Sequence, residues 1–156
     1  MRKRKKIDGR ISVGFVIQYP FQFYVFKNVY KHMVGEAEFI VDMSVFFPVT
    51  QPDELREAVI ALLERHGAAY RVLEYGDAAS KDYMLDFLGK YRGLVSLWER
   101  GCVTYVKDSR IKKIHMMYGC GKELNFVRPS HGIYDLCLAF GKRDRKSTRL
   151  NSSHSD

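Results

Sequence analysis

The densest run of side chains that could do chemistry is Ile114–Phe126, with the sequence IHMMYGCGKELNF. It leaves an apolar stretch that carries His115 and continues through Gly119, Gly121 and Lys122. A histidine side chain titrates near neutral pH and can take a proton from an acceptor hydroxyl. Glycines at the end of a strand let backbone N–H groups approach an anion, which a lysine can neutralise. The segment therefore predicts a general base beside an anion-facing loop.

The same residues also have an interpretation without chemistry. The spacing GCGKE lacks the four-residue spacer and the Ser or Thr of a P-loop, and it is not GxGxxG. The loop is then a structural turn with an exposed Lys122, and His115 is a hydrogen-bonded core histidine in an apolar strand. No cysteine or histidine spacing typical of a metal site is present. We expect no cofactor and no metal site.

A second candidate site follows the first apolar run, in the sequence QYPFQF. Its two glutamines, Gln18 and Gln22, could hydrogen-bond a polar ligand, and the aromatic residues between and after them could line it. The alternative is ordinary packing of a first helix against a sheet. Both candidate segments follow predicted strands, and ligands in open α/β sheets bind beyond the carboxyl ends of the strands.

The spacing of apolar residues predicts strands that alternate with helices. We place strands at 10–19, 38–47, 70–75, 94–98, 113–118 and 134–140, and helices at 21–34, 51–66 and 77–91. Thr50 is the expected N-cap of the second helix, and Gly67 the residue that ends it. This alternation indicates an α/β fold with a mainly parallel sheet and helices on both faces.

Charge is concentrated at the two ends of the 156-residue chain, whose formal net charge is +8. Residues 1–10 carry +5 and residues 142–156 carry +3, so residues 11–141 are neutral. A neutral core argues against a nucleic-acid-binding domain, which needs basic residues on its folded face. The basic residues at the start are Arg2, Lys3, Arg4, Lys5 and Lys6. They form either a solvated tail or a peripheral contact with an anionic membrane, at about 1 kcal/mol per basic residue.

Hydropathy and cysteine content indicate the cellular compartment. The chain has no apolar run near the ~18–20 residues that span a bilayer. We also expect no secretory signal, because no clean apolar run follows the basic start. Its three cysteines are an odd number, which indicates free thiols in a reducing compartment. We therefore expect a cytoplasmic protein, with contact to the inner face of the plasma membrane as the alternative for its basic tail.

The chain divides into three parts. Residues 1–10 form the basic tail, residues 11–144 one domain without an internal linker, and residues 145–156 a non-native or disordered tail. The end of that tail, KSTRLNSSHSD, has almost no apolar content and resembles translated sequencing-adapter read-through. We therefore expect that the natural protein continues beyond the domain.

A family resemblance is carried by three segments, GRISVGFVIQYPFQFYVFKNVYKHM, IKKIHMMYGCGKELNF and GIYDLCLAFGKRD, and it covers about residues 11–144. Taken together and in this order, these segments resemble the N-terminal domain of CDP-glycerol glycerophosphotransferase-like proteins of bacterial teichoic acid synthesis. The family's compact His-Gly pair is split here by Met116, Met117 and Tyr118. UDP-N-acetylglucosamine 2-epimerases share the architecture and stay an alternative, as does a non-catalytic Rossmann-like binding module.

The resemblance implies a GT-B fold of two Rossmann-like domains, of which this chain is the N-terminal, acceptor-side half. It implies transfer of glycerol phosphate or a related group from a CDP-linked donor to a polymer or lipid-linked acceptor of the cell envelope. His115 is then the candidate base, with Gly119 and Lys122 in the loop beyond it. The domain that binds the donor nucleotide would lie C-terminal, so we expect this chain alone to be inactive.

Overall fold

The computed structural model describes residues 9–76, 80–97, 102–116 and 133–138. Of these, the side chains at 80, 81, 102 and 104 are not described. In chain order the elements are β1 (Ile11–Ile17), α1 (Pro20–Val34), β2 (Phe39–Pro48), α2 (Asp53–Arg65), β3 (Tyr70–Tyr75), α3 (Ser80–Leu88), β4 (Gly93–Ser96), a 3-10 helix (Cys102–Tyr105), β5 (Lys112–Met116) and β6 (Leu136–Leu138).

The six strands of the described residues form one sheet in the order β3-β2-β1-β4-β5-β6, and all five neighbouring pairs are parallel. Parallel strands need crossover connections, and α1, α2 and α3 supply those between the first four strands. The molecule is therefore a Rossmann-like α/β fold, and the predicted fold class is confirmed.

Each face of the sheet has its own apolar core, because successive side chains of a strand point to opposite faces. On one face α1 and α2 pack on the strands, and on the other face α3 and the 3-10 helix do so. The first core includes Phe15, Ile17, Phe23, Phe26, Met43, Val45, Val59 and Leu63. The second includes Phe46, Met84, Leu88, Tyr91, Leu94, Val103 and Ile111.

The predicted elements are all present among the described residues, and β3 has the predicted bounds. The predicted N-cap of the second helix is wrong. The helix starts at Asp53 after Pro52, whose ψ of 140° is extended, and no side chain caps it. Thr50 lies in the preceding turn, where the buried Gln51 contacts Gln18 instead of joining the helix.

Differences elsewhere are at element ends. Strand β6 covers only Leu136–Leu138, and the 3-10 helix was not predicted from the sequence. The expected start of the third helix falls at 77–79, outside the described residues. Within the described part of the chain, no helix has the length and hydropathy to cross a membrane.

Candidate functional site

The carboxyl ends of β1 and β4 mark the crevice where open α/β sheets hold their ligands. These two strands are neighbours in the sheet, and the chain moves from β1 to one side and from β4 to the other. Ligands bind where the strand order reverses in this way. The residues that follow β1 and β2 at this edge are therefore the first to inspect.

Three glutamines join the loops after β1 and β2. The Gln18 side-chain amide donates to Oε1 of Gln51 at 3.2 Å, and the Gln51 amide donates back to the Gln18 carbonyl oxygen at 3.1 Å. Gln22, in the first turn of α1, accepts the backbone N–H groups of Gln18 and Tyr19 on its Oε1, at 2.5 and 2.9 Å. We call Gln18, Gln22 and Gln51 the glutamine cluster. It closes this edge with a network made by the chain itself.

The glutamine cluster changes what the start of α1 can bind. In dinucleotide-binding sheets the amides of the first loop and helix face a pyrophosphate, and glycines allow its approach. Here the loop contains no glycine, and the buried Oε1 of Gln22 already accepts two of the loop amides. A phosphate could reach those amides only by displacing the Gln22 side chain. The geometry therefore does not favour a dinucleotide phosphate site after β1.

His115 lies on β5, on the face of the sheet that α3 covers. Its side chain is only 4% exposed, and its ring lies 5.0 Å from that of Tyr134, tilted by 36°. A general base has to reach the hydroxyl that it deprotonates. This burial is what the interpretation as a core histidine expects, and the catalytic role stays a prediction.

A row of polar positions crosses the sheet at the level of His115. Register pairs His115 with Ser96 of β4, and on the other side of β1 it pairs Ser44 of β2 with Arg71 of β3. Ser44 and Ser96 are buried. All four residues share the face that α3 covers, since side chains alternate along each strand. Polar groups thus lie along the second core, with His115 toward the carboxyl end.

Sequence reasoning missed a polar network on the face of the sheet that α3 covers. The Tyr91 hydroxyl donates to Oδ1 of Asp42 at 2.5 Å, and Nε of Arg71 lies 2.8 Å from Oδ2 of the same carboxylate. The Arg71 guanidinium also lies over the Tyr91 ring, 5.5 Å from its centroid. Burial and the hydrogen bond to Asp42 raise the pKa of the Tyr91 phenol well above its usual 10.0. We call Asp42, Arg71 and Tyr91 the buried triad, after its buried carboxylate and phenol; the Arg71 side chain is itself 44% exposed.

A signal for the buried triad was present in the sequence. Gly14 interrupts the apolar strand β1, and a glycine inside a strand often marks a close approach. A Cβ built on Gly14 would lie 2.7 Å from Oγ of Ser44 and 2.9 Å from Cζ of Tyr91. Asp42 is likewise the one charged residue in the run FIVDMSVFF, which is otherwise apolar apart from Ser44. Together they indicate a side chain that crosses β1 to reach a carboxylate.

Of the predicted site residues, the structure describes Gln18, Gln22 and His115. Gly119, Gly121, Lys122 and the basic residues 2–6 lie outside the described residues, so their roles stay predictions. Gln18 follows β1 and His115 lies on β5, with β4 between them. Neighbouring strands are about 4.8 Å apart, so the two strands are about 10 Å apart. A ligand that touches both residues has to cross the end of β4.

No model of a known protein family matches the chain. Among the described residues, no group of three or more His, Cys, Asp or Glu side chains could hold a metal ion. The candidate site lies at the carboxyl edge of the sheet and comprises the glutamine cluster after β1 and β2 and, two strands away from β1, His115.

Proposed function

We propose that this chain is the N-terminal, acceptor-side domain of a transferase. The enzyme would move glycerol phosphate, or a related group, from a CDP-linked donor to a cell-envelope polymer acceptor. The family comes from the sequence resemblance described above. The Rossmann-like sheet supports it, because each half of a GT-B enzyme is a domain of that kind.

The observation that carries the proposal is the occupation of the loop amides after β1 by Gln22. A domain that held the donor would use these amides and the N-terminus of α1 for phosphate. This domain offers amide and hydroxyl groups instead, which suit a hydroxyl-rich acceptor. The proposal therefore assigns the donor diphosphate to a second domain.

In the proposed reaction the acceptor hydroxyl attacks, in line, the donor phosphorus that bears the glycerol. The bond from that phosphorus to the oxygen that bridges the two phosphorus atoms breaks, and CMP leaves. His115 takes the proton of the attacking hydroxyl, and Gln18, which is half-buried at the rim, orients the acceptor. Because His115 is buried, the hydroxyl has to enter from the carboxyl end of β5, where residues 117–122 follow in the sequence.

Turnover of CDP-glycerol with a glycerol phosphate oligomer as acceptor tests this function. We expect no CMP release by this chain alone, and CMP release with chain extension when a second, donor-binding domain is present. Robust turnover by this chain alone would contradict the acceptor-side assignment. Absence of turnover in the two-domain protein would contradict the transferase.

In the two-domain protein, His115→Ala tests the base. We expect about a hundredfold loss of turnover, the lower end of the usual contribution of general acid–base catalysis. His32→Ala is the matched control, because the His32 side chain is 80% exposed on α1. Equal rates for both variants would contradict a catalytic role for His115.

The burial of His115 favours a second candidate, a non-catalytic Rossmann-like binding module. In that case the His115 ring is a packing partner of Tyr134, and His115→Ala lowers stability without changing binding or activity. A urea unfolding curve measured beside the turnover assay separates the two candidates.

A further inference from the structure

A cleft at the amino edge of the sheet plays no part in the proposed transfer. It encloses about 820 Å3, and sites for small molecules commonly enclose about 300–1,000 Å3. It lies across the sheet from the glutamine cluster, where β1, β4 and β5 begin and α3 ends. We call it the amino-edge cleft. Its lining includes Arg10, Ser12, Lys90, Arg92, Asp108 and Arg110.

The floor of the amino-edge cleft is fixed by hydrogen bonds. The buried Ser12 hydroxyl donates to the Lys90 carbonyl oxygen at 3.1 Å, and the Arg92 N–H donates to the Ser12 carbonyl oxygen at 2.8 Å. Tyr91 and Ile111, also in the lining, are 2% and 3% exposed. The basic side chains thus extend from a backbone that the sheet holds in place.

The charge of the cleft favours an anion. Arg110 forks onto Asp108 with contacts of 2.6 and 2.8 Å, so this pair is neutral within the lining. Among the described residues, Lys90 and Arg92 make no ion pair. The lining as a whole holds four basic residues against two acidic ones, Asp86 and Asp108.

We propose that the amino-edge cleft binds a phosphate-bearing ligand through Lys90 and Arg92. Guanidinium and ammonium groups form charge-assisted hydrogen bonds to phosphate oxygens, and these are stronger than neutral ones. Gly9 lines the cleft, and in the sequence it follows the basic run Arg2–Lys6 after two intervening residues, Ile7 and Asp8. The ligand is either a free phosphorylated small molecule or the headgroup of an anionic phospholipid, since both present the same phosphate.

Calorimetric titration with inorganic tripolyphosphate tests the site in the full chain. We expect saturable binding at about 50 mM salt, where screening is weak. Lys90→Ala/Arg92→Ala removes two charges from the cleft, and Lys27→Ala/Lys31→Ala removes two charges from α1, outside the lining. We expect about tenfold weaker binding in the cleft variant and unchanged binding in the control. An equal loss of tripolyphosphate binding in both variants, or no loss in the cleft variant, overturns the proposal that the cleft binds a free phosphorylated small molecule.

Flotation with vesicles containing about one-third phosphatidylglycerol, against vesicles of phosphatidylcholine alone, tests the headgroup as the source. The basic tail is the same in both variants, so a loss of flotation confined to Lys90→Ala/Arg92→Ala assigns the headgroup to the cleft. The proposal is overturned when neither tripolyphosphate binding nor flotation depends on the cleft residues. Far-UV circular dichroism and thermal melting establish that both variants fold.

The amino-edge cleft is independent of the proposed transferase. If turnover of the two-domain protein is lost in His115→Ala and kept in Lys90→Ala/Arg92→Ala, the two sites are distinct. Tripolyphosphate binding confined to the cleft supports the cleft even when no turnover is found. Loss of tripolyphosphate binding in His115→Ala, with the cleft variant unchanged, overturns the cleft and places the phosphate near the carboxyl edge.

Discussion

At the scale of single residues, the buried triad shows how an apolar core accepts a carboxylate. Asp42 is 6% exposed, so its charge has lost most of its water and needs partners inside the protein. Tyr91 supplies a hydroxyl donor and Arg71 an opposite charge. Only glycine at position 14 lets Tyr91 cross β1. The triad therefore depends on four positions that are far apart in the sequence.

Tyr91→Phe tests the hydrogen bond of the triad. The variant keeps the ring but removes the donor, so we expect a loss of about 1.5–3 kcal/mol in the free energy of unfolding near neutral pH. Tyr83→Phe is the control, because Tyr83 lies on α3 and is 75% exposed. The unfolding free energy of this variant should stay within about 0.5 kcal/mol of the wild-type value. Urea unfolding measures both.

The difference in stability between wild type and Tyr91→Phe should also depend on pH. The folded-state pKa of Tyr91 is raised above its unfolded value of 10.0, so the stabilisation is complete below pH 10 and is lost at higher pH. The difference between wild type and Tyr91→Phe should therefore be constant at neutral pH and narrow above about pH 10. A difference that stays constant through the alkaline range would contradict the raised pKa.

Gly14→Ala tests the close approach itself. The added methyl would lie 2.7 Å from Ser44 Oγ and 2.9 Å from Tyr91 Cζ, so we expect a loss of about 1–3 kcal/mol through overpacking. Gly93→Ala is the matched control in the neighbouring strand. Its methyl would meet Val13 at an ordinary 3.5 Å, and its unfolding free energy should fall by less. Equal effects for the two substitutions would mean that Gly14 is not uniquely constrained.

At the scale of elements, the start of α1 is set by a side chain in its own first turn. Tyr19 at the N-cap has no side-chain cap, and Pro20 lacks a backbone N–H. Gln22 then folds back and accepts the N–H groups of Gln18 and Tyr19. The turn that aims β1 into α1 is therefore tied to the glutamine cluster.

Gln22→Met tests this role, because methionine has a similar length but cannot accept the two amides. We expect a loss of about 1–3 kcal/mol for each amide that stays buried without an acceptor, less any gain from water entry. Gln22→Glu is the control that keeps an acceptor oxygen and places a negative charge at a helix N-terminus, where it is favourable. Unfolding by urea should rank wild type and Gln22→Glu above Gln22→Met.

The elements themselves were largely predictable and their side-chain networks were not. The spacing of apolar residues, with the prolines and glycines, predicted the strands and the three α-helices found among the described residues, because these signals are local in the sequence. The contact of Gln18 with Gln51 joins two loops 33 residues apart, and no local pattern encodes it. Thr50 failed as an N-cap for the same reason, since Gln51 is held by Gln18 and the helix starts later. The Tyr134 ring that packs against buried His115 comes from a residue 19 positions later in the sequence.

At the scale of the whole molecule, the centre of the sheet is shielded from solvent better than its β6 edge. β1 has strand neighbours on both sides and apolar cores on both faces, while β6 at the sheet edge exposes Leu136 and Leu138 by 50% and 37%. Buried and doubly paired backbone opens only with the global unfolding of a domain, and exposed edges open locally. The centre of the sheet should therefore report global stability.

Hydrogen exchange tests this difference between centre and edge. We expect the slowest amides in β1 and β4 and much faster exchange in β6, because the central amides wait for global unfolding. Gly14→Ala should then lower the protection of amides in β1 and β4 by the full decrease in unfolding free energy that the substitution causes, and leave β6 unchanged. Gly93→Ala should lower the protection of these amides less. Equal loss of protection in β6 and β1 would mean that the edge opens together with the centre. In that case the sheet unfolds as one unit, and the exposed leucines of β6 do not mark a separately opening segment.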